Sequence, residues 1–296
     1  MFDEFKNAFQ RHNNAHIQLI IINVVVFVVL AVLGVFSKWF GLSSYFDLIY
    51  EQFAIPSAFS EFITRPWTLI TYFFTHSLPD IFHILFNMLA LYWFGKLFVE
   101  YLGSDKLIAL YVLGGISGAV IYLIAYNAIP SPPDFLVHSR GYMVGASAAI
   151  FAIMVGAATL LPDYTFFLLF IGPVRIKYIA AAYIFISFLG SVQSNAGGNI
   201  AHLGGALMGF VYIKQMQAGV NWGGWITSSL DWIKGLFKPS PKVKITYRKA
   251  EPKKPASNFN KATQEEIDVI LDKISDRGYE SLTKEEKEKL FNASKK

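Results

Sequence analysis

Residues 17–36 read IQLIIINVVVFVVLAVLGVF, a run without a single acidic or basic side chain. A helix that crosses about 30 Å of hydrocarbon needs about 20 mainly apolar residues, which is the length of this run. The run is too long for the apolar core of a signal peptide, and no cleavage site is evident. We therefore expect a membrane-spanning helix that stays in the protein.

The composition of the whole chain agrees with membrane residence. Of its 296 residues, 54% are hydrophobic and 16% charged, whereas soluble domains carry about 25% charged residues. The same length test selects six candidate spans, at 17–36, 81–98, 106–128, 144–161, 176–189 and 200–217. The predicted fold is all-α, a polytopic membrane protein with a six-helix bundle. Residues 37–80, rich in aromatics and prolines, are expected to lie partly in the membrane interface.

Positive charge is concentrated at the carboxyl end, where 16 of the 26 Lys and Arg residues lie from Lys234 onward. Because basic residues favour the cytoplasmic side, both termini are predicted to be cytoplasmic. The tail directly follows membrane segments, so its expected partner is the anionic surface of the lipid bilayer and not a nucleic acid. The chain has no cysteine, which excludes disulfides, thiolate metal sites and a cysteine nucleophile.

The predicted organisation has four parts. They are a cytoplasmic segment at 1–16, the membrane domain at 17–217, a basic cytoplasmic linker at 218–260 and a small helical module at 261–296. In the module, Thr263 with Glu266 and Thr283 with Glu286 have capping-box spacing, and two short helices are expected to join near Gly278. So small a pair buries little core by itself, which makes it either a marginal appendage or a docking element.

Polar side chains are costly inside a membrane, so those within the predicted spans are the first functional candidates. Four stand out: His83, Asn87, Ser147 and His202. Successive helices alternate in direction, so the second, fourth and sixth spans all start from the non-cytoplasmic side. Each of the four residues lies within about two turns of that end. We expect them to meet in one layer, as a catalytic constellation requires.

Ser147 lies in Gly145-Ala146-Ser147-Ala148-Ala149, whose small residues are also typical of plain helix packing. His202 can act as its base, because Gly205 and Gly209 follow on one helix face and let the sixth span approach the fourth. A lone membrane histidine can instead belong to a proton relay or a transporter site, which is the competing interpretation.

Three further side chains have two interpretations each. His83 and Asn87 project from one helix face, where they either donate hydrogen bonds to an oxyanion or clamp two helices together. Phe151 lies one turn after Ser147, where its ring either supports His202 or fills the core.

Together these motifs resemble the rhomboid family of intramembrane serine proteases. The resemblance covers about residues 66–217 and rests on Gly145-Ala146-Ser147, Ala201-His202 with Gly205 and Gly209, His83-Ile84-Leu85-Phe86-Asn87, Pro66-Trp67 with Thr71, and Glu100-Tyr101-Leu102-Gly103-Ser104. It implies a dyad of Ser147 and His202 without an acidic third member, and an oxyanion hole formed by His83, Asn87 and the Ser147 backbone N–H. It implies no cofactor and no metal.

The chain departs from the family pattern at two positions. Ala148 follows the serine where many members have Gly, and its methyl group is expected to narrow the site. Thr68 follows Trp67 where Arg is common, which leaves open how the first loop is held, although Arg65 is close. Neither change removes a reacting group, so we expect an active enzyme.

The resemblance implies an endopeptidase that cleaves single-pass transmembrane proteins near the outer membrane face, where small residues let the substrate helix unwind. The C-terminal module is similar to an appendage of some bacterial rhomboids, particularly of the Bacteroidetes type. The expected location is therefore the bacterial inner membrane, with the site towards the periplasm. A catalytically silent membrane binder and a small transporter are the alternatives. The short fifth span and the loop at 191–199 are candidate moving parts, and the oligomeric state stays open.

Overall fold

The computed structural model describes residues 8–9, 11, 13–128, 133–134, 136, 141–169, 171–237 and 259–294. The chain divides into two compact units, Met1–Lys238 and Pro239–Lys296, and each is described by itself. Most of the predicted N-terminal segment, and positions 238–258 of the predicted linker, lie outside the described residues.

Apolar sequence and helical structure coincide in the first unit. In chain order its helices include α1 (Ala15–Trp39), α2 (Ser43–Glu51), α3 (Phe59–Thr64), α4 (Thr68–Thr71), α5 (Ile81–Leu102), α6 (Ser104–Asn127), α7 (Ser147–Leu160), α8 (Ile176–Gly190), α9 (Ala196–Gln217) and α10 (Gly224–Phe237). Among the described helices, α1, α5 and α6 are long and apolar enough to cross a membrane, while α7 and α8 are apolar but shorter. Each predicted span coincides with a helix, but three helices meet the length and apolarity criterion rather than six.

Close backbone contact joins α9 to α7. A Cβ atom added at Gly205 would lie 2.0 Å from the carbonyl oxygen of Ala148, and one at Gly209 would lie 2.2 Å from that of Ala152. Any side chain at these positions would push the helices apart, so glycine sets the distance between them, as is common for membrane helices. The predicted approach of the sixth span to the fourth is confirmed.

A buried hydrogen-bond chain fastens α1 to the core. The side-chain amide of Asn23, which is 0% exposed, donates to the Tyr111 hydroxyl at 3.0 Å. That hydroxyl in turn donates to the Phe73 carbonyl at 2.8 Å. Because an unpaired buried amide costs about 1–3 kcal/mol, this chain fixes how α1 is rotated against α6.

The first loop holds the short helices α2, α3 and α4 and the strand β1 (Ile55–Pro56). β1 pairs antiparallel with β2 (Tyr142–Met143), so the loop lies beside the segment that leads into α7. Large aromatic side chains at its start remain exposed, with Trp39 at 75% and Phe40 at 71%. Such rings are typical of the membrane interface, where the loop was expected.

Arg65 holds this loop in place. Its guanidinium pairs with Glu61 and donates to the Tyr142 hydroxyl at 3.3 Å, which links α3 to β2. The neighbouring Thr68 is fully buried and donates its hydroxyl hydrogen to the Arg65 carbonyl at 2.7 Å. Arg65 therefore holds the first loop, which answers the question raised by Thr68 at a position where Arg is common.

A β-hairpin lies ahead of the fifth span, and its first strand is in the apolar stretch that follows Tyr164. Strand β3 (Thr165–Leu168) pairs antiparallel with β4 (Gly172–Arg175). Before the hairpin, Asp163 accepts hydrogen bonds from Lys177 at 2.7 Å and Arg175 at 3.1 Å. The bond from Lys177, the larger cause, holds the pKa of the Asp163 carboxyl below its usual range.

The second unit contains α11 (Phe259–Arg277), a 3-10 turn (Tyr279–Ser281) and α12 (Lys284–Ser294). The capping box at α12 is confirmed: the Thr283 N–H donates to Glu286 at 2.7 Å, and the Glu286 N–H donates to the Thr283 hydroxyl at 3.3 Å. The predicted box at Thr263 and Glu266 is wrong, because α11 begins at Phe259 and position 263 lies inside the helix.

Candidate active site

Ser147 is the first residue of α7, directly after a tight turn. Gly145 has φ +134°, which side chains rarely adopt, and a Cβ atom there would lie 2.9 Å from Cε1 of His83. Only glycine fits both the backbone conformation and the space. The turn presents the Ser147 Oγ to His202 on α9, whose Nε2 lies 2.7 Å away.

The imidazole of His202 is held on two further sides. Phe151 stacks on it, with ring centroids 4.3 Å apart and planes 11° from parallel, so the predicted support by an aromatic ring is present. On the opposite side of the imidazole from Ser147, the Ser187 Oγ of α8 lies 3.1 Å from Nδ1. Ser187 is not among the predicted site residues, although a serine within an apolar span is itself a signal.

His83 and Asn87 lie on α5 beside the serine and line the same cavity. The Asn87 amide donates one hydrogen to the His83 carbonyl at 2.9 Å. An amide nitrogen carries two hydrogens, so the second, which has no acceptor among the described residues, can bind a group in the cavity. The backbone N–H of Ser147 belongs to the first turn of α7, where amides have no acceptor within their own helix.

The cavity has a volume of about 680 Å³. All four predicted polar residues line it, together with Phe151 and apolar side chains such as Phe86 and Met154. Three helices thus bring a hydroxyl, two imidazoles and an amide to one space, as their common depth predicted.

Ala148 does not narrow this cavity, contrary to expectation. It is 1% exposed, and its methyl group faces α6, where a Cβ atom at Gly118 would lie 2.6 Å from it. Gly118 therefore makes the room that the extra methyl needs, and the cavity wall is unaffected.

The loop predicted at 191–199 as a moving part is shorter than expected, because α9 already begins at Ala196.

The arrangement is suited to nucleophilic chemistry. A hydroxyl in hydrogen-bond contact with an imidazole can transfer its proton as it attacks a carbonyl. Hydrogen-bond donors around the same space can stabilise the negative charge that then develops on the carbonyl oxygen.

Comparison with known proteins places the chain in a family. A model of the rhomboid domain matches residues 64–217, and the chain belongs to the rhomboid family. Residues 258–296 match a family of unknown function (DUF6576).

Three relatives show how far the similarity extends. RHOMBOID-like protein 12, mitochondrial, from Arabidopsis thaliana is 34% identical over 204 residues, which cover 67% of this chain and 59% of that protein. Rhomboid protein 1, mitochondrial, from Saccharomyces cerevisiae is 30% identical over 51% of this chain and 42% of its own length. RHOMBOID-like protein 1 from Arabidopsis thaliana is 29% identical over 52% of this chain and 36% of that protein. The chain thus spans about half the length of the relatives it matches.

Proposed function

We propose that the protein is an intramembrane serine endopeptidase that cleaves single-pass transmembrane proteins. The observation that carries this proposal is the 2.7 Å contact between Ser147 Oγ and His202 Nε2, inside a cavity lined by further hydrogen-bond donors. Membership of a family that includes serine proteases supports the same chemistry.

The proposed reaction has two chemical steps. A substrate helix enters sideways and unwinds, because its backbone groups are otherwise bonded to one another. Ser147 Oγ attacks the peptide carbonyl while its proton passes to His202 Nε2. His202 gives that proton to the leaving amine, and an acyl-enzyme remains. Water, deprotonated by His202, then releases the second product and restores the Ser147 hydroxyl.

The negative charge on the carbonyl oxygen needs donors at both steps. The cavity offers three such donors beside the Ser147 hydroxyl: His83, the second amide hydrogen of Asn87 and the Ser147 backbone N–H. One such donor is worth about 3 kcal/mol in the transition state. These assignments match the oxyanion hole that the family resemblance implies.

The proposal includes the placement of the protein. The helices of the first unit form a six-span membrane domain at 17–217, in a bacterial inner membrane. Both termini face the cytoplasm and the cavity opens towards the periplasm. The basic segment at 218–260, which contains α10 at its start, binds anionic lipid, and 261–296 form a small helical module. Two of the relatives are named as mitochondrial, and that location is stated of those proteins only.

A catalytically silent binder of membrane proteins is the second candidate. It would need the fold but not the dyad, whereas Ser147 and His202 are both present and in contact. A transporter would need polar residues along the whole depth of the membrane. Here the intramembrane candidates gather around one cavity.

Cleavage and active-site labelling test the proposal together. Purified wild type and Ser147→Ala are compared in liposomes with a single-pass substrate and a serine-directed fluorophosphonate. Ser37→Ala is a matched control, because the Ser37 hydroxyl is buried and, among the described residues, bonds to Gly34 of its own helix at 2.8 Å. We expect cleavage and labelling in wild type and Ser37→Ala, and neither in Ser147→Ala. A folded wild type that neither labels nor cleaves would favour the silent binder.

A further inference from the structure

The imidazole of His202 has two ends, and both are in hydrogen-bond contact. Nε2 faces Ser147 Oγ at 2.7 Å, and Nδ1 faces Ser187 Oγ at 3.1 Å. Stacking on Phe151 fixes the plane of the ring but does not distinguish the ring from one flipped by 180° about the Cβ–Cγ bond. The flip would put carbon atoms where Nδ1 and Nε2 now lie, so the two hydrogen bonds select one orientation.

Ser187 is placed to act on His202 and not on a substrate. It lies on α8, it is 2% exposed, and it is absent from the residues that line the cavity. Within the described part of the chain, its hydroxyl is the side-chain group that contacts Nδ1. Its neighbour one turn earlier, Tyr183, lines the cavity and packs edge-on against Phe151.

The chemistry at Nε2 dictates what must happen at Nδ1. A neutral imidazole carries one hydrogen, and Nε2 can receive the Ser147 proton only if that hydrogen is on Nδ1. After the transfer both nitrogens carry hydrogens, so a partner of Nδ1 must then accept. A hydroxyl oxygen has the lone pairs to do so, and it does this without a buried charge.

We infer that Ser187 is a positioning residue that accepts the Nδ1 hydrogen of His202, selects the tautomer able to take the Ser147 proton, and stabilises the imidazolium that forms. The inference rests on the proposed function, and it adds a neutral third member to the pair of Ser147 and His202. In serine proteases with an acidic third member, a carboxylate performs this task.

Kinetics of Ser187→Ala provide the first test. A hydrogen bond to a charged group is lost in the transition state, so kcat should fall by about tenfold to a hundredfold. KM should stay unchanged, because Ser187 does not line the cavity. Ser187→Thr keeps the hydroxyl and should recover most of the rate, while Ser37→Ala should match wild type. A Ser187→Ala enzyme within twofold of wild type in kcat would overturn the inference.

The histidine tautomer provides a second test that needs no activity. Nitrogen-15 NMR of the histidine-labelled protein in detergent distinguishes a protonated ring nitrogen from an unprotonated one, and a His202→Ala sample identifies the signals of His202. We expect hydrogen on Nδ1 in wild type and a mixed population in Ser187→Ala. Hydrogen on Nε2 in wild type would overturn the inference, even if Ser187→Ala did not fold. A wild type with hydrogen on Nδ1 but without labelling would instead contradict the proposed protease.

Discussion

Replacing Gly205 with alanine should separate the nucleophile from its base. The added Cβ atom would lie 2.0 Å from the Ala148 carbonyl oxygen, whereas carbon and oxygen in contact are at least about 3.3 Å apart. The obstacle is backbone and cannot rotate away, so α9 must move from α7 by about 1.3 Å, the difference between those distances.

This movement would lengthen the contact between Ser147 and His202, which lies near the site of the change on both helices. Ser147 precedes Ala148 on α7, and His202 lies one turn before Gly205 on α9. If the whole separation falls on the 2.7 Å contact between them, the distance rises to about 4 Å, beyond a hydrogen bond. Misplacement by about 1 Å can lower the rate about a hundredfold, and overpacking costs about 1–3 kcal/mol of stability.

The assay compares Gly205→Ala with Gly235→Ala. Gly235 is a helical glycine on α10, and a Cβ atom there meets nothing within 4 Å. The change at Gly235 should leave cleavage intact and stabilise its helix by up to about 1 kcal/mol. Cleavage rate, fluorophosphonate labelling and thermal midpoint are measured on all three proteins. Wild-type cleavage and an unchanged midpoint in Gly205→Ala would refute the argument that backbone contact sets the site.

Three other perturbations have defined outcomes. Asn87→Ala removes one oxyanion donor and should lower kcat about a hundredfold with little change in KM, measured with a single-pass substrate. A higher KM with an unchanged kcat would mean that Asn87 only binds substrate. Arg65→Gln breaks the pairing with Glu61 and should lower the thermal midpoint and speed proteolysis of the first loop; unchanged proteolysis would contradict the attachment. A hydrogen bond from Lys273 lowers the pKa of Glu286, so this carboxylate stabilises α12 above its unfolded pKa. That contribution is lost as pH falls through the lower folded value. Amide protection of α12, corrected for intrinsic exchange, should therefore drop in acid in wild type and not in Glu286→Gln.

The meeting of the four polar residues was predictable because two simple rules sufficed. Polar side chains are conspicuous in apolar segments, and a helix rises about 1.5 Å per residue, which converts position in the chain into depth. Ser147 and His202 then needed only close helix packing, which the glycine spacing indicated. Ser187 meets the same two rules, since it lies in an apolar helix one turn before the end at Gly190, but these rules do not assign it a partner. Its contact with Nδ1 depends on how α8 is rotated against α9, and that rotation is set by tertiary packing.

The strands and the exact start of α11 were not predicted, for a related reason. β1 forms only because β2, far along the chain, lies beside it, and no local pattern encodes that pairing. The hairpin of β3 and β4 begins in a run of apolar residues that is too short to distinguish a strand from part of a helix. Thr263 has the residue type of a helix cap, yet α11 starts before it, so helix boundaries were less predictable than helices.

The residues that build the site on α9 are the same residues that keep this helix from being counted as a membrane span. α9 has 22 residues, enough to cross a membrane, but five of them are glycines, and Asn199 and His202 are polar. Each of these residues makes α9 less apolar, so it does not reach the criterion that α1, α5 and α6 meet. Yet Gly205 and Gly209 are what allow contact with α7, and His202 is what the contact delivers. A helix that carries a buried polar site in a membrane is therefore less apolar than a helix that only spans it, and α6 and α7 pack against the glycines of α9.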